Sequence, residues 1–442
     1  MTSRIVRAFA LALLSGPWER RAMVTRLAYV TNLAEAKWIV GLVKALQRKF
    51  EEPPDFEDLV EWLSSYSKLA VLRFYDVYPD QWRTRPDIWI RRWPKPPLEM
   101  AESPWPVPAL ASPKELAVWL GVDVPRLEAF ADERGIARES QNERARHYRY
   151  TWIAKRTGGH RLLEAPKPRL RALQRLLLDD IVANIPPHDA AHGFRRGRSV
   201  AGFAAAHAGR EVVIRIDLQA FFASVSRPRV AAIFRSAGYP DVIARMLAAL
   251  CTHRTPRAVL AAAPSREWSE LAQLRGAHLP QGAPTSGALA NLAAYGIDVR
   301  VAALAARLGA TYTRYADDLV LSGDRALARA ASSIVGRIGA IAHDEGFAVN
   351  FKKTRVMTAA DRQRVTGLVV NAKVAVARHE VDRLRAILFN CARTGPAAQN
   401  RDGHADFRAH LLGRISWVSV IDPAKGVRLR ALFDRIRWDD VR

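Results

Sequence analysis

Three carboxylates offer the clearest chemistry in this 442-residue sequence. Asp217 ends the apolar run Val212-Val-Ile-Arg-Ile-Asp217, and Asp317-Asp318 lie within Tyr312-Thr-Arg-Tyr-Ala-Asp-Asp-Leu-Val-Leu321. The first pattern predicts a strand from Glu211 to Asp217; the second predicts a β-hairpin from Thr311 to Ser322 with both acids at its turn. Neighbours on an extended chain point to opposite faces, but at a hairpin turn both can approach one edge. Three acids gathered there repel one another unless cations neutralise them. Mg2+ is hard, oxygen-seeking and content with a few carboxylates plus substrate phosphates. Two such ions, roughly 3.5 to 4 Å apart, activate an attacking hydroxyl and stabilise the leaving oxygen of a phosphoryl transfer. An isolated Asp-Asp reads more plainly as a pair of turn formers.

Two further segments weigh against that plainer reading. Leu279-Pro-Gln-Gly-Ala-Pro-Thr-Ser286 supplies Gly282, which lets backbone approach closely, and Gln281, which can reach a sugar or base edge. Glu345-Gly-Phe-Ala-Val-Asn-Phe-Lys-Lys-Thr354 brings Lys352 and Lys353, one of which can protonate a leaving pyrophosphate. Alone, the first would be an ordinary start to a helix and the second a solvated face.

In order and spacing, these four segments resemble the palm of reverse transcriptases. Ala191-His-Gly-Phe-Arg-Arg-Gly-Arg-Ser199 and Arg364-Val-Thr-Gly-Leu-Val-Val-Asn371 look like segments of the bacterial retron type. The resemblance covers roughly residues 140 to 371 and implies an RNA-directed DNA polymerase. It makes Asp217, Asp317 and Asp318 the catalytic carboxylates, with Asp217, Asp317, Asp318 and the Leu218 carbonyl holding two Mg2+ ions. Lys353, directly before Thr354, becomes the general acid. Phe222 takes the place of an aromatic gate that rejects a ribose 2′-hydroxyl by collision, with core packing as its alternative; Phe221 fills the core. Gln281 and Gly282 would line the nascent base pair, and Arg161, Lys167 and Arg169 would contact the triphosphate, or else template phosphate. His207 and the Val365-Thr366-Gly367 element would bind RNA, although Phe203-Ala-Ala-Ala-His207 has Phe where the family keeps Asn. The implied partners are a cognate noncoding RNA, its single-stranded DNA product, dNTPs and an effector protein. Priming from the 2′-hydroxyl of an internal guanosine, a branched product and a role in antiphage defence also follow from the resemblance alone. Other bacterial reverse transcriptases, and a nonenzymatic RNA-binding scaffold, are the competing readings.

The elements that must position these residues follow from pattern and composition. Lys and Arg total 68 against 44 Asp and Glu, a net charge of +24 that suits a polyanionic partner. Arg138 to Arg175 is the most basic stretch and the expected phosphate-contacting surface. Cys251 and Cys391 stand far apart, without metal or disulfide spacing, which suits a reducing cytoplasm. No stretch approaches the ~20 apolar residues of a membrane span, so no membrane partner is expected. Arg4 to Ser15, Leu42 to Phe50 and Phe56 to Leu72 read as helices, and the proline-rich stretches 94–97 and 103–108 as a linker. A capped helix begins at Ser112, another spans Pro125 to Arg134, and Leu170 to Ile185, Thr285 to Leu308 and Ala326 to Glu345 are expected as single helices. The expected fold is α/β in the α+β sense: a right hand with fingers, palm and helical thumb, plus an N-terminal helical extension. Its expected divisions are residues 1–105, 112–371 and 372–442.

Overall fold

The computed structural model describes residues 4–33, 37–70, 88, 90–91, 99–155, 158–264 and 268–438, and the chain forms two compact units, Met1–Met100 and Ala101–Arg442. In the first, helices Arg4–Leu14, Arg20–Val30, Lys37–Lys49 and Phe56–Ser65 close over Phe9, Leu13, Leu27, Leu42, Leu46 and Leu63. The first helix stops at Gly16-Pro17 as expected. The Arg26 guanidinium donates to the carbonyls of Ala12, Leu13 and Pro17 at 2.8, 2.8 and 2.9 Å, satisfying groups that a helix C-terminus leaves open. The helix expected to run to Leu72 ends at Ser65, and a short turn of helix, Ser67–Ala70, follows. Residues 71 and 72 lie outside the described residues, as do 94–97 of the expected linker.

In the second unit, residues 103–108 are not a free linker. Asn184 donates to the Pro106 carbonyl at 2.9 Å and the Tyr239 hydroxyl to that of Pro108 at 3.0 Å. Ser112 caps helix Pro113–Trp119, its hydroxyl accepting from the Glu115 N–H at 3.2 Å, while the Glu115 carboxylate accepts from the Ala111 N–H at 2.8 Å. The basic stretch then folds into an antiparallel hairpin that the charge pattern had hidden, β1 (Tyr148–Ala154) and β2 (His160–Pro166). Its signal is a period of two: Tyr148, Tyr150 and Trp152 turn inward while Arg149, Thr151 and Ile153 do not.

A four-stranded antiparallel sheet follows, in the order β4-β5-β3-β6. Its strands are β3 (Val212–Asp217), β4 (Thr311–Tyr315), β5 (Asp318–Gly323) and β6 (Arg355–Thr358). The expected Thr285–Leu308 helix is two, Ser286–Ala293 and Tyr295–Arg307, bent by 52°. Arg229 donates to the Ala293 carbonyl at 2.6 Å, so a side chain satisfies a group released at the break. Glu345 packs so tightly on Gly296 that a Cβ there would lie 2.3 Å from its carboxylate. The expected Ala326–Glu345 helix is likewise broken, at Ala330. Beyond it, β7 (Arg364–Val365), β8 (Leu368–Val369) and β9 (Ala375–Val376) form a small antiparallel sheet. They share a core with helices Arg378–Thr394, Phe407–Ile421 and Pro423–Phe433. Among the described residues no single helix is long and apolar enough to cross a membrane; the bent pair passes that test by length and composition.

Candidate active site

The sheet brings the three carboxylates to one edge. Asp217, the last residue of β3, lies directly opposite Asp318, the first of β5, and directly opposed residues share a face. The Leu218 N–H donates to the Asp317 carbonyl at 2.9 Å, which ties the chain after β3 to the hairpin turn. Tyr315 pairs with Asp318, leaving Ala316-Asp317 as a two-residue turn. Ala316 has φ +55°, where glycine is the usual residue, so this turn holds roughly 1 kcal/mol or more of backbone strain.

Charge around the edge is unbalanced. Burial raises the Asp317 carboxyl, and the Asp217 charge adds to it. Burial also pushes Asp318 up to about 6, against the pull of Arg215 and with the repulsion of Asp317 and Asp217. Two cations answer in part: Lys353 Nζ lies 3.0 and 3.3 Å from the two Asp217 oxygens, and Arg215 Nε 3.3 Å from Asp318 Oδ1. The Arg215 contact is Coulombic only, for Asp318 Oδ1 is buried without a hydrogen-bond partner. These donors are hard oxygens short of positive charge, which fits Mg2+. They do not make a ready-made cage, since among the described residues no three His, Cys, Asp or Glu side chains are grouped to hold an ion. Substrate phosphates and water would have to complete the coordination.

Sequence reasoning missed what holds the turn. Arg314, in β4, is fully buried and pairs with Asp298 at 2.6 and 2.8 Å. Its remaining nitrogen donates at 3.0 Å to both Asn291 Oδ1 and the Ala316 carbonyl. Asn291 in turn donates to the Gly193 carbonyl at 2.7 Å, and Gly193 sits so close that a Cβ would lie 2.8 Å from the Ala316 nitrogen. Arg314 therefore braces the strained residue directly before Asp317. Only the apolar strand around it, in which an arginine should find a buried partner, signals this.

The other expected site residues are not gathered equally. Half-buried Phe222 meets Phe194 edge to face at 5.7 Å, while Phe221 is buried against Phe347. Gln281 and Gly282 lie against β2: the Gln281 carbonyl accepts from the Glu164 N–H at 2.9 Å, and Gly282 has φ +130°. A Cβ on Gly282 would lie 3.1 Å from the Glu164 carbonyl, so β2 alone accounts for the glycine. Arg161 is exposed on β2 and its charge reaches Asp317. Lys167 instead donates to the Glu143 carbonyl, and Arg169 is exposed on the first turn of helix Pro168–Asp180.

The expected RNA contacts are corrected in part. His207 is fully buried, its ring nitrogens 2.7 Å from Ser322 Oγ and Thr313 Oγ1, so it joins strands β4 and β5 and has no surface to offer RNA. Burial pushes it down to about 3, keeping the ring neutral. Phe203 is buried too, against His192, His207 and Tyr315. An apolar ring thus occupies that position, among aromatic neighbours. Val365 is a core residue, whereas at the β7–β8 turn Thr366 is half-buried and Gly367 exposed, both with positive φ. A β-branched residue at φ +47° is strained, and the Thr366 hydroxyl is buried without a hydrogen-bond partner.

Comparison with known proteins agrees with this architecture. Residues 153–376 match the family described as reverse transcriptase (RNA-dependent DNA polymerase). The retron Mx65 reverse transcriptase of Myxococcus xanthus is 40% identical over 336 residues, which cover 73% of this chain and 71% of that one. The retron Mx162 reverse transcriptase of the same organism is 38% identical, covering 72% and 65%. The retron Ec86 reverse transcriptase of Escherichia coli is 31% identical, covering 61% and 74%. The chain belongs to the retron-type reverse transcriptases, and is an RNA-directed DNA polymerase with the α/β fold of that family.

Proposed function

We propose that this polymerase copies part of a cognate structured noncoding RNA into single-stranded DNA, and that the system serves antiphage defence. The observation that carries the chemistry is the pairing of Asp217 with Asp318 across β3 and β5, with Asp317 in the adjoining turn. Asp217, Asp317, Asp318 and the Leu218 carbonyl would hold two Mg2+ ions, which activate the primer hydroxyl and stabilise charge on the leaving oxygen when bound. The primer hydroxyl gives up its proton to solvent as its oxygen attacks the α-phosphorus of the incoming dNTP, a new P–O bond forms, and the bond to pyrophosphate breaks. Lys353 orients Asp217 at rest and delivers a proton to the departing pyrophosphate. Phe222, backed by Phe194, blocks a 2′-hydroxyl, and Gln281 and Gly282 support the nascent pair. Arg161 steers the triphosphate; Lys167 and Arg169 are assigned the same task on position in the chain. Thr366 and Gly367 present the RNA-contacting turn. The fingers and palm occupy residues 112–371, the thumb is the helical layer from 372, and residues 1–105 form a separate helical extension.

Asp317→Asn with Asp318→Asn tests the catalytic assignment. Primer extension on an RNA template should fall by at least about a thousandfold, since charge stabilisation of several kcal/mol is lost at about 1.4 kcal/mol per decade. Unchanged extension would overturn it. The template assignment is tested by purifying the protein from its host and sequencing the bound nucleic acid after RNase and DNase treatment. A discrete RNA with an attached DNA supports the reading; ordinary cellular RNA without a DNA species refutes it.

A further inference from the structure

Phe194 is a bulky apolar residue in an unfavourable place. It is 53% exposed, and its φ of +55° lies in the left-handed region that glycine adopts freely and phenylalanine seldom does. Core packing does not account for it, since a ring that fills the core is out of water, as Phe221 is. Strain kept at an exposed residue points to a task at the surface. The chain around it is fixed to the catalytic hairpin. The His192 N–H donates to the Arg314 carbonyl at 2.8 Å, and the Arg314 N–H to the Ala190 carbonyl at 2.7 Å. Gly193 packs on the Ala316 nitrogen, and Phe194 and Ala316, on either side of that contact, share φ +55°. After Phe194, the Arg195 guanidinium donates to Asp189 Oδ1 at 3.1 Å.

So anchored, the ring touches two other segments of the site. It lies on helix Ser286–Ala293, where a Cβ on Gly287 would come within 2.5 Å of Phe194 Cγ. It also meets the Phe222 ring edge to face, with centroids 5.7 Å apart. The backbone of Phe222 is held by the turn after β3: the Ser224 N–H donates to the Ala220 carbonyl at 2.9 Å, and the Val225 N–H to the Phe222 carbonyl at 3.3 Å. Those bonds leave the side chain its own rotation, and the ring is half-buried, with solvent on part of its surface. Phe221 lies against it from the core, centroids 5.7 Å apart, and the exposed Phe194 meets it as well. A gate that works by collision excludes only as firmly as its ring resists being pushed aside.

We propose that Phe194 is a positioning residue for sugar discrimination: it holds the Phe222 ring in the orientation that collides with a ribose 2′-hydroxyl. The inference rests on the assignment of Phe222 as that gate. The test is single-nucleotide extension by the full-length protein on a pre-annealed DNA primer and RNA template. Values of kcat and KM are measured for a dNTP and for the matching rNTP. Phe222→Ala should lower the dNTP-over-rNTP preference in kcat/KM by about a hundredfold, the order that a pocket achieves against one added hydroxyl. Phe194→Ala should lower it by about tenfold, by raising the efficiency of the rNTP. The double variant should match Phe222→Ala alone, because one residue acts through the other. Phe194→Tyr keeps the ring and should keep the preference. Phe194→Gly removes the ring and suits φ +55°, so it should reproduce the alanine result without a strained residue there. If Phe194 served the fold alone, its loss would lower both efficiencies together and leave the preference unchanged, and that result would overturn the proposal. Additive losses in the double variant would do the same, since Phe194 would then meet the nucleotide by itself. An unchanged preference in Phe222→Ala would remove the gate and this inference with it. A relaxed preference there, with none in Phe194→Ala or Phe194→Gly, would sink this inference alone.

Discussion

Two buried charge pairs support the second unit, Arg314 with Asp298 under the hairpin turn and Glu164 with His278 behind β2. Both are shut away from water, with side-chain exposures of 0% and 0% in the first and 2% and 2% in the second. They differ in whether they can let go of their charge. Burial works against the Arg314 charge, but the hydrogen bonds and attraction of Asp298 outweigh it and raise the guanidinium further. It stays charged at every pH a protein survives. Burial likewise opposes both members of the second pair, yet contact holds Glu164 below the usual carboxylate range and lifts His278 above that of imidazole. Either can still be titrated. The turn that carries Asp317 is thus braced by a permanent pair, and strand β2 by one that depends on pH.

Breaking the permanent pair should have the larger effect on the fold. Arg314→Met leaves Asp298 buried without its partner and frees the Ala316 carbonyl, a loss of about 3–5 kcal/mol measurable as a fall in urea midpoint. Combining it with Asp298→Leu should recover much of that stability, because a buried pair replaced by apolar groups costs little. Extension activity should not return with it, since nothing then braces Ala316. Recovery of both together would reduce Arg314 to a folding residue.

The titratable pair gives a smaller effect with a distinctive shape. Its His278 share is complete below pH 6.5 and disappears as pH rises through the raised folded value. Its Glu164 share is complete above pH 4.5 and disappears as pH falls through the lowered one. The pair therefore contributes most between pH 4.5 and 6.5. His207 and His253, each pushed down to about 3 by burial, destabilise the fold as the unfolded chain gains protons below 6.5, so the wild type must be compared with a variant. His278→Gln should lower the urea midpoint by the equivalent of about 1–3 kcal/mol inside that window, with the gap closing at alkaline pH. A constant gap across pH would show that His278 acts as a neutral hydrogen-bond donor. At the exposed extreme, Arg7 and Glu57 lie 3.1 Å apart on the first unit with side chains 45% and 72% exposed. Glu57→Gln should alter stability by less than about 0.5 kcal/mol, by the same measurement.

What could be read in advance was whatever lay close together in the sequence. The hairpin around Asp317-Asp318 announced itself because apolar runs flank it, and Asp217 because a strand ends there. The capped helix at Ser112 was equally local. The β1–β2 hairpin was obscured because its alternating aromatics lie within the most basic stretch of the chain, and the sum of charge drew attention from the period. The break at Ala294 depends on Arg229 and Glu345, neither of which is near it in the sequence. Glu164 and His278 are likewise partners only in three dimensions. His207 shows the reverse error: a motif position suggested an RNA contact, and only the packing places the ring between Thr313 and Ser322.

The central place of β3 limits how the chain can change in length. It is hydrogen-bonded to β5 along one side and to β6 along the other, with Val213, Arg215 and Asp217 on one face and Val212, Ile214 and Ile216 on the opposite one. Gaining or losing one residue within it would turn Asp217 away from Asp318 and drive Arg215 into the apolar layer, because a single step reverses every side chain. The connection at Gly309, which leads into β4 and has open space around its Cβ position, carries no such constraint. Insertions and deletions in descendants of this chain should therefore collect in connections of that kind and be excluded from the six residues of β3.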